Sequence, residues 1–128
     1  MNWTMLGLVM LGGALGAALR YLVGDWLLQR SAGGMPWGTL AVNLAGAFAA
    51  GLLFALLEAR GPAAAHWRAF LLVGVLGAMT TFSALMLEAL LLSRAGRLPA
   101  SLGYLAISLA GGLLLVWLGA RAGAQLRG

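Results

Sequence analysis

Apolar residues run through this chain in four stretches of membrane-spanning length. They lie at about Met5–Leu28, Trp37–Leu57, Trp67–Leu92 and Ala100–Gly119, with only brief polar connections between them. Crossing a bilayer as a helix takes roughly 20 apolar residues, and each stretch meets that length. Of the 128 residues, 62% are hydrophobic and 9% charged. A soluble domain this small leaves too much of its surface in water to hide such a composition. The expected fold is therefore all-α: an integral membrane protein with four transmembrane helices, forming a single domain over residues 1–128. No Lys or Arg precedes the first apolar stretch. It lacks the charged leader of a signal peptide and reads as a retained span.

Composition removes several function classes. There is no cysteine, which excludes disulfides, thiol catalysis and thiolate metal sites. The net charge of +5 comes from arginines scattered singly near span ends, with no basic run, so nucleic acid is not an expected partner. Asp25, Glu58, Glu88 and His66 are the only residues suited to acid–base work, and three of the four fall near span ends. Ser83 has no base at its depth to make it a nucleophile. Catalysis is not expected.

The third stretch is interrupted. Gly74–Glu88 reads GVLGAMTTFSALMLE, placing two glycines, then Thr80, Thr81, Phe82 and Ser83, where a plain apolar helix would continue. Hydrocarbon cannot satisfy a polar backbone, so such a stretch survives only inside protein or beside a water-filled path. Polar residues at membrane depth mark function by default. A broken or polar helix near the middle of this third span is the expectation.

Other polar residues recur at helical spacing. Thr39, Asn43, Ala47 and Ala50 share a face of the second span, and Ser101, Tyr104 and Ser108 make a hydroxyl stripe on the fourth. Asn43 reads either as interhelical glue or as a donor to a permeating ligand, and the hydroxyls either as bonded to their own helix or as a polar track. Arg20 either snorkels to the interface or lines an aqueous vestibule, with Asp25 within pairing distance on the same helix. Gly12/Gly16 and Gly13/Ala17 in the first span, with Gly111 and Gly112 in the fourth, are close-packing surfaces.

Amide and hydroxyl groups donate hydrogen bonds to anions. The deep groups Asn43, Thr80, Thr81, Ser83, Tyr104 and Ser108 therefore favour anion transport, and the positive ring edge of Phe82 suits the same cargo. The competing transport reading is a small proton- or cation-coupled exchanger built on Glu88.

Three motifs carry a family resemblance: GGALGAALRY at 12–21, PWGTLAVNLAGAF at 36–48 and GAMTTFS at 77–83. Together they resemble the Fluc, or CrcB, fluoride channels over essentially the whole chain. The resemblance implies an antiparallel dual-topology homodimer in the cell inner membrane, conducting fluoride passively outward and lowering cytoplasmic fluoride toxicity. It implies that Asn43 hydrogen-bonds fluoride and Phe82 offers its ring edge, with Thr81 and Ser83 beside them as pore lining. Tyr104 and Ser108 would continue the polar track, and Arg20 matches the vestibule arginine. Backbone carbonyls of Gly77 and Thr80, with those of the partner, would hold a structural, non-transported Na⁺. No carboxylate or imidazole ligand set is implied.

One departure stands out. The family pattern TTFSTF is here TTFSALM, so Ala84 replaces a threonine and Leu85 the second phenylalanine. One ring per pathway, a heterodimer whose partner supplies the missing groups, and weakened conduction are the three explanations. Arginine counting favours the homodimer. Arg60, Arg68, Arg121 and Arg127 fall on one side, and Arg30, Arg94 and Arg97, with Arg20 if it snorkels outward, on the other. The charge bias that sets a single orientation is nearly absent. Cysteine-accessibility labelling is expected to find both orientations; a single one would exclude dual topology.

Overall fold

A computed structural model describes residues 2–30 and 33–127, with backbone alone for residues 25 and 28–30. Among the described residues four helical runs are long and apolar enough to cross a membrane, so the chain is a multi-pass membrane protein. Helix α1 covers Trp3–Arg30 and α2 covers Trp37–Glu58. The third run begins with a 3₁₀ turn at Gly61–Ala64 and a single turn, α3, at Ala65–Trp67. A π-helical segment, Arg68–Leu76, and a second short turn, α4, at Gly77–Met79 follow. The run resumes as α5 at Phe82–Arg94, and α6 covers Leu98–Gln125.

Between α4 and α5 the backbone leaves helical geometry for two residues. Thr80 has φ −82° and ψ 148°, and Thr81 has φ −148° and ψ 119°. Sequence explains why helix restarts at once. The Thr81 hydroxyl accepts the Ala84 N–H at 3.2 Å, capping an otherwise unpaired donor of α5. Upstream, the Gly77 N–H reaches both the Leu72 and Gly74 carbonyls, the first of these a π-type bond.

Glycine decides which helices touch. Lipid supplies no hydrophobic drive between spans, so they associate through close packing and interhelical hydrogen bonds. A Cβ on Gly12 would strike the Phe70 carbonyl oxygen, and one on Gly16 the Val75 carbonyl oxygen, which seats α1 against the π segment. Gly74 returns the contact, its notional Cβ lying 2.9 Å from the Gly12 Cα. On the other side of the molecule, Gly51 of α2 meets the Val116 carbonyl, and Gly119 of α6 meets the Phe48 carbonyl. A Cβ on Gly111 would come within 3.1 Å of the Leu44 side chain. The small pair Gly13/Ala17 behaves differently, because Gly13 has nothing within 4 Å of its notional Cβ. Its face points away from the rest of this chain.

A small core of Leu40, Leu85, Ala89, Leu92 and Tyr104 joins α2, α5 and α6. The outer surface is apolar, with half-exposed Trp37 and Trp67 near the starts of their runs, where such rings mark the headgroup level. Arg121 lies 4.9 Å over the Trp117 ring, and Arg127 pairs with Glu58 at 3.2 Å. Asp25, expected from spacing alone as a partner for Arg20, has its side chain outside the described residues.

Because the Gly16 contact is with backbone, Gly16→Ala is expected to lower stability in detergent by about 1–3 kcal/mol. Gly7→Ala, with nothing near its notional Cβ, is expected to change the unfolding midpoint little. Equal midpoints for the two variants would refute this packing assignment.

Candidate functional site

Two extended residues at membrane depth create a hydrogen-bonding problem, and Asn43 answers it. Its Nδ2 donates to the Thr81 carbonyl at 3.2 Å, and its Oδ1 accepts the Thr81 N–H at 2.8 Å. The side-chain amide thus pairs with a peptide group as a neighbouring strand would. Asn43 is interhelical glue in this arrangement, and one N–H of its amide remains for another acceptor. Thr80 turns its hydroxyl back to the Leu76 carbonyl at 2.8 Å.

These bonds redistribute the carbonyls around the gap. In a continuous helix the Thr81 N–H would go to Gly77 and the Ala84 N–H to Thr80. Asn43 and the Thr81 hydroxyl take those donors instead. The carbonyls of Gly77 and Thr80 therefore lose their usual helical partners. Arg20 extends its Nε to the Ala78 carbonyl between them, at 3.3 Å. Among the described residues no three His, Cys, Asp or Glu side chains come together as a metal site. Any cation here would rely on backbone oxygen, which suits a hard ion.

Beside the extended residues lies a cleft of about 370 Å³. Asn43, Thr80, Thr81, Phe82, Leu85 and Ser108 line it among small and apolar residues. The Ser108 Oγ is buried with no hydrogen-bond partner, an orphaned donor beside the cleft. Such a group costs on the order of 1–3 kcal/mol unless something pairs with it. Phe82 is 68% exposed, its ring projecting from the free face of the chain. Ser83 is exposed beside it, its hydroxyl 3.2 Å from that of Thr81. Leu85, by contrast, is 5% exposed and belongs to the core as well as to the cleft wall. A phenyl ring at position 85 would have to displace core neighbours.

One α-helical turn along α2 and α6 from the cleft, the polar line continues. Tyr104 is 1% exposed and donates to Glu88 Oε2 at 2.6 Å. Thr39 donates to Glu88 Oε1 at 2.6 Å. Ser101 leaves the hydroxyl stripe, its hydroxyl donating a hydrogen bond to the Ala89 carbonyl at 2.7 Å. The structure thus brings Thr39 and Glu88 into a constellation that the sequence placed on separate helices without a shared role. Thr39 lies four residues before Asn43, and that spacing was the available signal. Nothing in the sequence pointed Glu88 toward either hydroxyl.

The family described as CrcB-like protein, Camphor Resistance (CrcB), matches residues 7–120. The chain belongs to the CrcB family. Its relatives include a protein of Xylella fastidiosa (strain 9a5c), 54% identical over 95% of this chain and 85% of its own length. Another, from Xanthomonas euvesicatoria pv. vesicatoria (strain 85-10), is 52% identical over 97% of this chain and 93% of its own. A third, from Rhizobium meliloti (strain 1021), is 46% identical over 88% and 90%. All three are named fluoride-specific ion channel FluC.

For this CrcB protein, Asn43→Ala is expected to orphan both peptide groups of Thr81. The expected cost is about 1–3 kcal/mol of stability, with faster amide exchange at Thr81. Unchanged exchange at that amide would contradict the pairing.

Proposed function

We propose that this CrcB protein is a fluoride-specific channel that lets fluoride leave the cytoplasm down its gradient, limiting fluoride toxicity. It is not an enzyme. The observation that carries the reading is the match to proteins named as fluoride channels at 52–54% identity along nearly the whole chain. The donor set supports it. Fluoride holds its water tightly, so a selective pore must replace that water with closely placed donors. The spare Asn43 N–H, the orphaned Ser108 hydroxyl and the Phe82 ring edge offer such replacements around one cleft. Thr81, Ser83 and Tyr104 extend the same track, and Arg20 supplies positive charge at its approach.

We infer an antiparallel, dual-topology homodimer in the inner membrane. The near-tied arginine count, the exposed Phe82 and the unused Gly13 face support this assembly. A structural Na⁺, held by the carbonyls of Gly77 and Thr80 and their partner-subunit counterparts, fits the carbonyl oxygens freed there. When bound it would brace the third spans and offset nearby anion charge; the anion's path itself is built from the side chains above. Leu85 leaves one aromatic edge per chain at the cleft, so the amide and hydroxyl donors bear more of the desolvation cost.

The alternative, an exchanger coupled through Glu88, would need that carboxylate to trade a proton or cation with the path. Both of its oxygens already accept hydroxyl bonds. Purified protein in liposomes containing Na⁺ is expected to release fluoride without a proton gradient. Asn43→Asp is expected to cut that flux by at least about tenfold, the loss of one good hydrogen bond to a charged group, and Phe82→Ile, which removes the positive ring edge, to lower it as well. Release no faster than from empty liposomes would refute the channel. Flux that requires a proton gradient and stops in Glu88→Gln would establish the exchanger instead.

A further inference from the structure

A second cavity, of about 570 Å³, opens at the end of the molecule where the 33–36 and 95–97 connections meet. Its inner wall carries Thr39 and Glu88, two members of the hydroxyl–carboxylate network, and its lining also includes Arg97, Gly34 and Trp37. The guanidinium is held in place, because Arg97 Nη1 donates to the Gly33 carbonyl at 2.9 Å. Gly34, with φ +66°, turns the chain there, and a Cβ at that position would come within 3.3 Å of the same nitrogen. The two cavities lie on one polar line. From the first cleft, Asn43 leads one turn along α2 to Thr39, and Ser108 leads one turn along α6 to Tyr104. Both routes converge on Glu88, which opens into the second cavity.

Charge makes this cavity informative. Among its described lining residues, Arg97 and Glu88 are the ionisable ones, of opposite sign. Without Arg97, the carboxylate alone would set the field, and a mouth of that sign repels anions. One fixed guanidinium in a cleft with low-dielectric walls concentrates counter-ions. Arg94, on the neighbouring turn, is exposed and does not line the cavity.

We propose that this cavity is the far aqueous mouth of the anion path and that Arg97 is its capture residue. Arg97 cancels the Glu88 field at the entrance and raises the local anion concentration ahead of Thr39 and Tyr104. The inference rests on the fluoride-channel reading and adds a residue and an entrance to it.

The test is fluoride flux into liposomes, measured over a range of fluoride concentrations in low and high impermeant salt. In low salt, Arg97→Gln is expected to raise the half-saturating fluoride concentration by about three- to tenfold, within the range of electrostatic focusing. Maximal flux is expected to stay within about twofold of the unaltered protein, and the difference to shrink at high ionic strength, as screening requires. Arg97→Lys, which keeps the charge, is expected to restore the half-saturation. Arg94→Gln is expected to behave as the unaltered protein. An unchanged half-saturation in Arg97→Gln would overturn the capture role. So would a fall in maximal flux alone that Arg97→Lys fails to rescue, because that is the signature of a purely structural tie to Gly33. Failure of the unaltered protein to conduct would instead overturn the channel reading itself.

Discussion

Everything around the candidate site depends on how one peptide group is satisfied. Thr81 lies in extended backbone within a span, where an unpaired N–H and C=O would each cost several kcal/mol in hydrocarbon. The Asn43 side chain meets both. That pair of hydrogen bonds ties α2 to the third span and takes the helical donor of the Gly77 carbonyl, while the Thr81 hydroxyl takes that of the Thr80 carbonyl. An aliphatic residue at 43 would leave those two polar groups unpaired and the departure from helix without support. One amide side chain therefore sustains both the local fold and the chemistry offered by the cleft.

The remaining architecture is a scaffold of close approaches. Gly12 and Gly16 bring α1 onto the π segment, while Gly51 and Gly119 bring α2 onto α6. In a membrane such contacts replace the hydrophobic drive that would assemble the same helices in water. α2 and α6, which meet through those contacts, supply Leu40 and Tyr104 to the small core, and the Tyr104 hydroxyl donates to Glu88. Packing and polar network are thus one arrangement seen from two sides.

Much of this was legible in the residues. Four apolar stretches with short connections leave little choice but four helices, and threonines following glycine at membrane depth announce irregular backbone. Asn43 was recognisable as important, but spacing along α2 says nothing about which peptide it faces. Glu88 was ambiguous for a similar reason: its two partners come from α2 and α6, and only the packing of those helices against α5 brings them within 2.6 Å. Leu85 was expected beside the path as a substitute for an aromatic ring. The same position also belongs to the core, so its identity answers to packing as much as to any passing ion. Arg97 read as a loop charge because the cavity beneath it exists only once two distant connections meet.

The π segment has a consequence for how this chain tolerates length changes. Winding Arg68–Leu76 more loosely than an α-helix alters the angular phase between Gly74, which faces α1, and Thr80, which faces Gly46 of α2. Removing one residue between them without a change of winding would turn everything downstream by roughly 100° relative to Gly74. The glycine seam and the threonine pair would then no longer satisfy their two neighbours at once. The spacing between 74 and 80 is thus coupled to the looser winding, and a residue can be lost there only if the segment tightens to α-helix with it.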